Sequence, residues 1–420
     1  MVAPFGTLAQ LGYDLGAGRV DSVAVVNHCL GRIAVMDKVG VGIGAVIEVA
    51  GDAVGVAASL DAMPRVGRLH RLPILLKDNI ETADGMETTA GSLALLGAPR
   101  PVRDATIVRR LREAGMVMLG KTNLSEWANI RSPNSTSGWS ARGGLTVNPH
   151  RRTHSASGSS SGSAAAVAAG FAPAAIGTET NGSIVSPASD CGIVGLKPTV
   201  GLVSRAGIIP ITRWQDTAGP MTLTCWDAAL LLNVLAGPDE RDPMTEAAGS
   251  NRERDYAAGI SRDALRGARL GVLRPECGRH AGVLALFEET CERLREAGAT
   301  LVEVRELPNR KRSGALAWGA MLTELRVDLN LYLKGRGGRV GSLAELMAFN
   351  VAHRDREMRF FGQEFFEEAE RRGTPEAMAA AVEMRAEAMR LAGPEGLDAV
   401  LRANDLDALI CPTNDPAGVI

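Results

Sequence analysis

Short apolar runs that alternate with helical segments constrain the fold of this chain more than any other feature. Strands are predicted from the short apolar runs, and helices from apolar residues spaced three and four apart. The predicted strands are residues 45–49, 73–76, 116–119, 174–177, 269–273, 300–304 and 406–410. The predicted helices are residues 20–36, 104–113, 164–169, 227–235, 283–296, 313–333, 342–371 and 375–392. This alternation predicts an α/β fold with a mixed or largely parallel sheet.

Charge and composition argue against two broad classes of function. The 420 residues carry 46 basic and 48 acidic side chains, and aromatic residues make up 4% of the chain. Nucleic-acid binding needs a basic surface or aromatic stacking platforms, so no nucleic-acid partner is expected. The longest alanine-rich stretch, residues 164–176, is interrupted by Gly170 and Pro173. It is far shorter than the roughly 20 apolar residues of a membrane span, so no membrane insertion is expected.

The cysteines and the first residues indicate a cytoplasmic protein. Six cysteines are scattered along the sequence, and none forms a Cys-x-x-Cys pair that would indicate a zinc or redox site. Scattered thiols in a chain of this size are typical of small buried side chains in a reducing compartment. The first residues lack the charged and apolar regions of a signal peptide.

Two chemical motifs match in letters but not in context. Residues 115–122 fit the phosphate-loop pattern, but a predicted helix precedes them and a predicted strand fills the middle, which cannot wrap a phosphate. Residues 158–162 fit the nucleophile elbow of Ser-His-Asp hydrolases, but a polar segment precedes them. The only later histidines, His280 and His353, lie in a predicted loop and a predicted helix. Neither a nucleotide site nor a Ser-His-Asp hydrolase is therefore predicted.

Three other segments together supply the groups of a nucleophilic catalytic site. Lys77 follows the apolar strand 73–76, where desolvation lowers the pKa of a lysine from about 10.4 towards neutrality and allows it to act as a base. The serine-rich run 157–163 precedes an alanine-rich helix and offers hydroxyl groups. Residues 177–185 place a strand before a glycine-containing turn, whose backbone N–H groups can stabilise an anion. A base, a relay hydroxyl, a nucleophile and an oxyanion hole are all available.

The same segments carry a resemblance to the amidase signature family. The matching motifs are PILLKDNI at 73–80, GSSSGSAAAVAAG at 158–170, GTETNGSIVSPASDCGIVGLKPTVGLVSRAGIIP at 177–210 and QDTAGPM at 215–221. The resemblance is dense from about residue 20 to 235 and continues more loosely to about 413. Val185 stands where many members have Arg, and in this respect the chain is most similar to the bacterial peptide-amidase-type subgroup.

The resemblance implies a Ser-cisSer-Lys catalytic triad. Ser183 corresponds to the nucleophile, Ser159 to the cis-serine and Lys77 to the base. It further implies an oxyanion hole made of four consecutive backbone amides, those of Thr180, Asn181, Gly182 and Ser183. The implied reaction is hydrolysis of a linear carboxamide C–N bond through an acyl-enzyme, with a small-molecule or peptide amide as substrate. No metal or organic cofactor is implied, and a homodimer is expected.

The family fold implies one α/β/α domain over residues 1–420, in which helices cover a mixed central sheet. Within it we expect N-terminal helices at 1–60, the catalytic core at about 61–235 and a helical insertion at about 311–395. The chain ends soon after the strand predicted at 406–410, so a truncated sheet with an unpaired edge is expected. Such an edge predicts lower stability than complete relatives have, and a tendency to self-associate.

Two alternatives and two departures accompany this interpretation. The chain could instead be an amidotransferase A-type subunit that works with partner subunits, or a truncated amidase whose catalysis is impaired. Arg71 stands where the family usually has Gly before the lysine strand. Arg213 and Trp214 stand where smaller residues are usual, just before the QDTAGPM motif.

Overall fold

The computed structural model describes residues 6–248 and 255–420 and confirms the predicted α/β class. Among these residues, no helix combines the length and apolar character needed to cross a bilayer. The strands are β1 (Val46–Val49), β2 (Pro73–Lys77), β3 (Val117–Thr122), β4 (Trp139–Ser140), β5 (Gly144–Leu145), β6 (Ala174–Glu179), β7 (Val194–Gly195), β8 (Thr217–Thr222), β9 (Arg269–Leu273), β10 (Thr300–Val304) and β11 (Ala408–Ile410). The helices are α1 (Leu8–Gly16), α2 (Ser22–Met36), α3 (Ala53–Asp61), α4 (Thr106–Glu113), α5 (Ser161–Ala168), α6 (Val185–Asp190), α7 (Cys225–Leu235), α8 (Met244–Ala248), α9 (Ala281–Glu296), α10 (Arg310–Arg336), α11 (Leu343–Ala352), α12 (Arg354–Glu357), α13 (Glu364–Arg371), α14 (Pro375–Ala392) and α15 (Asp398–Asn404).

The chain divides into two compact units, each with its own sheet. The first unit comprises residues Met1–Ala258, Val327–Glu367 and Gly418–Ile420, and the second comprises Gly259–Arg326 and Glu368–Ala417. In the first unit, six strands are ordered β1-β3-β2-β6-β8-β7. Strand β2 runs parallel to β3 and β6, whereas the β1–β3, β6–β8 and β7–β8 pairs are antiparallel, so the sheet is mixed. In the second unit, β10, β9 and β11 form a parallel sheet. The single domain and its inner boundaries stay predictions.

The middle of the six-stranded sheet is buried throughout. Every residue of β2, β3, β6 and β8 is buried. Helices α2 and α5 both pack against β2. Strands that are covered on both faces are expected to be continuously apolar, which explains why residues 73–76 of β2 are all apolar. A lysine at the end of such a strand is therefore forced out of water.

Helix α5 lies unusually close to the backbone of the sheet. All eight of its residues are buried, and all are Ser, Gly, Ala or Val. A Cβ atom on Gly162 would come within 2.3 Å of the Ala45 carbonyl oxygen and 2.5 Å of the Asn123 carbonyl oxygen. Only glycine permits that approach. The small residues of α5 are therefore a requirement of its packing against the sheet.

The structure differs from the predicted elements where tertiary packing overrides local pattern. The helix predicted at 342–371 is broken into α11, α12 and α13. Between α12 and α13, the rings of Phe360 and Phe361 lie 5.4 Å and 5.3 Å from the ring of Trp139. These contacts favour a non-helical path for the chain at this point. Strand β8 was not predicted because its sequence, TAGPMT, lacks strand character. A Cβ on Gly219 would lie 2.1 Å from the Leu196 carbonyl oxygen, so close backbone approach requires the glycine in this strand.

Candidate active site

Lys77 ends strand β2 and points its amine into a buried cluster of oxygen atoms. Its side chain is fully buried. Its Nζ lies 2.7 Å from Ser159 Oγ, 3.0 Å from Ser160 Oγ and 3.1 Å from the Thr178 carbonyl oxygen. None of these oxygens carries a formal charge. The amine is therefore held by neutral partners alone.

Burial lowers the pKa of Lys77 to about 7, because the desolvated ammonium loses its hydration. The negative charges of Glu179 and Asp216 oppose this shift and keep the pKa from falling further. A lysine with this pKa is present in both protonation states near neutral pH. The amine can therefore accept a proton under physiological conditions, which an ordinary lysine cannot do.

Ser159 is placed by the turn that precedes α5. The Gly158–Ser159 peptide bond is cis, and Ser159 is fully buried. The Ser125 backbone N–H donates to the Ser159 carbonyl oxygen at 3.0 Å and anchors this turn. A Cβ on Gly158 would lie 2.2 Å from Ser125 Oγ, so a glycine is needed there. The structure thus brings two of the predicted site residues, Lys77 and Ser159, into direct contact.

Ser160 joins the serine-rich turn to the neighbouring strand and the following turn. Its hydroxyl donates to the Thr178 carbonyl oxygen at 3.0 Å and accepts from the Thr178 N–H at 3.2 Å. Its own backbone N–H donates to the Ser183 carbonyl oxygen at 3.1 Å. Its hydroxyl is fully buried and held by Thr178 and Lys77, an environment unlike that of an exposed nucleophile. Sequence reasoning considered Ser160 only through the elbow motif and missed this positioning contact.

Ser183 lies on the tight turn that follows β6. Gly182 has a φ of +84°, a left-handed conformation that favours glycine and reverses the chain direction here. Ser183 is 8% exposed, which leaves its surface in reach of a small ligand. Among the described residues, neither its hydroxyl nor its backbone N–H makes a hydrogen bond. The serine predicted as nucleophile is thus the least constrained hydroxyl of the cluster.

The Glu179 carboxylate holds the turn in shape from inside. It accepts hydrogen bonds from the backbone N–H groups of Gly182 at 2.9 Å, Ile184 at 2.7 Å and Val185 at 3.0 Å. Charge-assisted bonds of this kind are stronger than neutral ones. Sequence reasoning did not assign a role to Glu179. The available signal was an acidic residue at the exit of a buried strand, three residues before a glycine turn.

The four predicted oxyanion-hole residues all lie on this turn, with different surroundings. The Gly182 N–H already donates to Glu179, as described above. The Thr180 hydroxyl donates to Asp216 Oδ1 at 2.5 Å, and Asn181 Oδ1 accepts from Gln215 Nε2 at 2.9 Å. Their combined role in binding an oxyanion stays a prediction.

Asp216 is a further buried acid of the site that sequence reasoning did not single out. Besides Thr180, it accepts from the backbone N–H groups of Ile211 at 2.8 Å and Thr212 at 3.0 Å. Burial raises the pKa of Asp216 to about 6, and these hydrogen bonds limit the rise. The residue lies in the QDTAGPM motif, but nothing in the motif itself indicates its partner. Its contacts fasten the 211–217 loop to the Ser183 turn.

The structure also explains the rejected phosphate-loop match. The strand predicted at 116–119 is found as the buried strand β3, which extends further to Thr122, and Lys121 within it is fully buried. Its Nζ donates to the Ile80 carbonyl oxygen at 2.6 Å and Thr88 Oγ1 at 2.8 Å. Burial lowers the pKa of Lys121 to about 8. Lys121 thus braces the loop after β2 from inside the protein.

Arg71 adopts a left-handed backbone conformation before the lysine strand. Its φ is +77°, the region where glycine is favoured. Its guanidinium donates to the carbonyl oxygens of Leu60 at 3.1 Å, Asp61 at 3.1 Å and Met63 at 2.5 Å. These bonds offset the conformational cost, so the departure from Gly leaves the approach to Lys77 intact.

Comparisons with known proteins identify the family of this chain. The family model described as Amidase matches residues 24–418. A solved peptide amidase from Stenotrophomonas maltophilia is 48% identical, with a TM-score of 0.92 over 99% of this chain and 87% of that one. An Arabidopsis thaliana protein described as a probable amidase is 39% identical over 84% of this chain and 68% of its own length. A glutamyl-tRNA(Gln) amidotransferase subunit of Symbiobacterium thermophilum, of the A type, is 43% identical over 70% of this chain and 59% of its own length.

The curated relatives are longer than this chain, which spans 68% of the Arabidopsis thaliana protein and 59% of the Symbiobacterium thermophilum subunit. The family model nevertheless covers the chain from before β1 to beyond β11 and includes Lys77, Ser159 and Ser183. The solved peptide amidase has the same α/β architecture with a mixed central sheet. The predicted fold class is thereby confirmed, and the chain belongs to the amidase family.

Proposed function

We propose that this protein hydrolyses linear carboxamides through an acyl-enzyme on Ser183. The observation that carries the proposal is the 2.7 Å contact between Ser159 and Lys77, whose pKa is lowered to about 7. A neutral amine bound to a serine hydroxyl is the arrangement that activates a nucleophile without a histidine. We assign the Ser183 hydroxyl, which lies on the turn after β6 and makes no hydrogen bond among the described residues, as the group that this pair activates.

The reaction follows from these positions in two stages. Neutral Lys77 takes the proton of Ser159, which takes the proton of Ser183 as its Oγ attacks the amide carbonyl carbon. The tetrahedral intermediate expels the amine, which leaves with the relayed proton, and the acyl group stays on Ser183. Water then repeats the attack and releases the carboxylic acid.

The oxyanion of each intermediate is assigned to the backbone of the Ser183 turn. The unpaired Ser183 N–H supports this assignment, and the Gly182 N–H would share its hydrogen with Glu179. Losing one donor of an oxyanion hole typically costs about 2.7–4 kcal/mol of transition-state stabilisation. The turn therefore has to be rigid, and the Glu179 carboxylate supplies that rigidity.

The substrate class is tested with a panel of simple amides. The panel contains C-terminal peptide amides, aryl amides and alkyl amides, and released ammonia or amine is measured with the purified chain. The similarity to a peptide amidase leads us to expect the highest rate with peptide amides. No release from any amide would contradict the proposed function.

A second candidate function is that of an amidotransferase A-type subunit. The 43% identity to a glutamyl-tRNA(Gln) amidotransferase subunit of this type favours it. Such a subunit would be expected to work with partner subunits, whereas a hydrolase works without them. Turnover of simple amides by the lone purified chain distinguishes the two. The impaired-amidase alternative predicts a folded chain that no acylating probe labels.

We also propose a cytoplasmic location and a homodimer. All six cysteines are free thiols, which fits a reducing compartment. Fractionation of cells that express a tagged chain tests the location, and light scattering of the purified protein tests the homodimer.

Replacing Ser159 by alanine is expected to lower kcat by about 10³-fold. The loss should be smaller than that of Ser183→Ala, because a water molecule can take the place of the relay hydroxyl. Steady-state kinetics of the two variants give the order. The exposed Ser189, on α6, provides the matched control Ser189→Ala, which should behave as wild type. A greater loss for Ser159→Ala would mean that the two roles are exchanged.

Replacing Glu179 by glutamine is expected to lower kcat by about 10- to 100-fold with little change in KM. The amide keeps one accepting oxygen but replaces the other with donors, so it cannot accept from all three turn N–H groups. Kinetics with a thermal melt as a folding check measure this effect. The same substitution at the exposed Glu240 is the control. An unchanged kcat in Glu179→Gln would show that the carboxylate does not position the turn.

A further inference from the structure

The 211–217 loop forms one wall of a cavity that begins beside the Ser183 turn. Asp216 and Gln215 in this loop contact Thr180 and Asn181, as described above. These contacts hold the loop beside the Ser183 turn. Trp214, which directly precedes Gln215, is therefore expected to lie near the reacting centre. Trp214 is 42% exposed, so much of its indole surface is free for contact with a ligand.

The cavity has a volume of about 570 Å³, within the range of small-molecule sites. Asp216 and Ile208 border it, and both also border a narrow space of about 10 Å³ lined by Asn79, Thr178 and Glu179. The two spaces therefore share part of their walls, and the smaller one extends to Thr178 and Glu179 beside the catalytic cluster. Its apolar walls are Trp214, Ile208, Pro210, Pro243, Met244 and Leu331.

Besides Asp216, two acidic residues line this cavity, and each is paired with an arginine. Arg213 Nε lies 2.7 Å from Asp328 Oδ1, and the Arg213 backbone N–H donates to Asp328 Oδ2 at 2.8 Å. Arg205 Nε lies 2.8 Å from Asp242 Oδ2. The remaining arginine of the lining, Arg241, donates to the Asp104 carbonyl oxygen at 3.2 Å. Because Asp242 and Asp328 are each neutralised by an arginine within the wall, the apolar side chains of the lining favour an apolar occupant.

We propose that this cavity holds an aliphatic or aromatic side chain on the acyl portion of the substrate. The preferred substrates are then carboxamides of bulky apolar residues, with the scissile amide at Ser183 and the side chain against Trp214. This inference rests on the proposed function and names its substrate class. The two sequence departures, Arg213 and Trp214, thereby acquire a role: the arginine fixes the loop to α10, and the tryptophan forms the wall.

The test compares three substrates that differ only in this side chain: the α-amides of N-acetylated phenylalanine, glycine and aspartate. We expect kcat/KM to be at least about tenfold higher for the phenylalanine amide than for the glycine amide. In Trp214→Ala this ratio should fall below about threefold, because the aromatic wall is lost. The glycine amide is the internal reference that cancels effects on the chemical step.

Matched variants separate the pocket from the fold. Trp318, which is 38% exposed, provides the control Trp318→Ala, and the wild-type ratio should be kept. Met244→Trp adds bulk to another residue of the cavity lining and should also lower the ratio. Equal kcat/KM for the phenylalanine and glycine amides in the wild type, or a preference for the aspartate amide, would overturn the inference.

A binding measurement keeps the inference testable without turnover. In Ser183→Ala protein, calorimetry should show the phenylalanine amide binding about tenfold more tightly than the glycine amide, with the difference lost in the Ser183→Ala, Trp214→Ala double variant. If the wild type hydrolyses amides without this preference, the apolar pocket is contradicted and the proposed function stands. If the preference is found but the wild type hydrolyses no amide, the pocket is supported and the proposed function is contradicted. If neither hydrolysis nor the preference is found, both proposals are contradicted.

Discussion

Ser183→Ala is expected to reduce amide hydrolysis by about 10⁵- to 10⁶-fold, the size of loss seen when a catalytic serine is removed. No other hydroxyl of the cluster combines an unbonded oxygen with an unbonded backbone N–H. Progress curves with the best amide of the panel measure the loss. Ser189→Ala, six residues further along the chain, serves as the control.

A fluorophosphonate probe provides a second measurement of the same assignment. It should phosphonylate the wild type at one residue, with fluoride as the leaving group, and peptide mapping by mass spectrometry should place the label on Ser183. Ser183→Ala should take up no label. Labelling of Ser160 instead would support the nucleophile elbow and contradict the proposed triad.

Lys77→Ala is expected to lower kcat by about 10³- to 10⁴-fold, because the general base is removed. Lys77→Arg should be no better, since a guanidinium stays protonated near neutral pH and cannot accept the Ser159 proton. Kinetics of both variants, each with a thermal melt to verify folding, measure the effect. Lys197 is exposed, so Lys197→Arg is the matched control. Near-wild-type activity in Lys77→Arg would exclude lysine as the base.

The lowered pKa of Lys77 fixes the direction of the pH dependence. The base is active only when neutral, so the active fraction is high above its pKa of about 7 and falls as the pH drops below it. Below pH 7, kcat/KM should rise about tenfold per pH unit, which is a slope of about one in a plot of log kcat/KM against pH. Above pH 7 the plot should level off. A flat profile from pH 5 to pH 8 would contradict a titrating Lys77.

The sequence alone predicted the strands that carry the site better than the contacts that shape it. The run before Lys77 is buried on both faces, so its apolar pattern is strong and β2 was predicted nearly to the residue. The pairing of Lys77 with Ser159 came from the family resemblance, because no local pattern relates residues 82 positions apart. The roles of Glu179 and Asp216 were missed because each acts on backbone N–H groups, which the sequence does not distinguish.

Other differences have the same origin. Strand β8 contains Gly219 and Pro220, residues that weaken any strand prediction, and it forms because β6 and β7 flank it on both sides. The prediction of one helix over 342–371 was wrong because aromatic contacts to Trp139 outweigh the local periodicity. In both cases the deciding interaction comes from a segment distant in sequence.

The burial of Lys77 has a consequence for chemical probes of this protein. All the partners of its amine are protein oxygens, and its side chain has no exposed surface. Amine-reactive reagents dissolved in water are therefore expected to leave Lys77 unmodified while the fold is intact. Burial lowers its pKa and at the same time shields the neutral amine, so the desolvation that produces the base also protects it from modification. Ser183 keeps some exposed surface, so covalent inhibitors of this protein are expected to react with the serine.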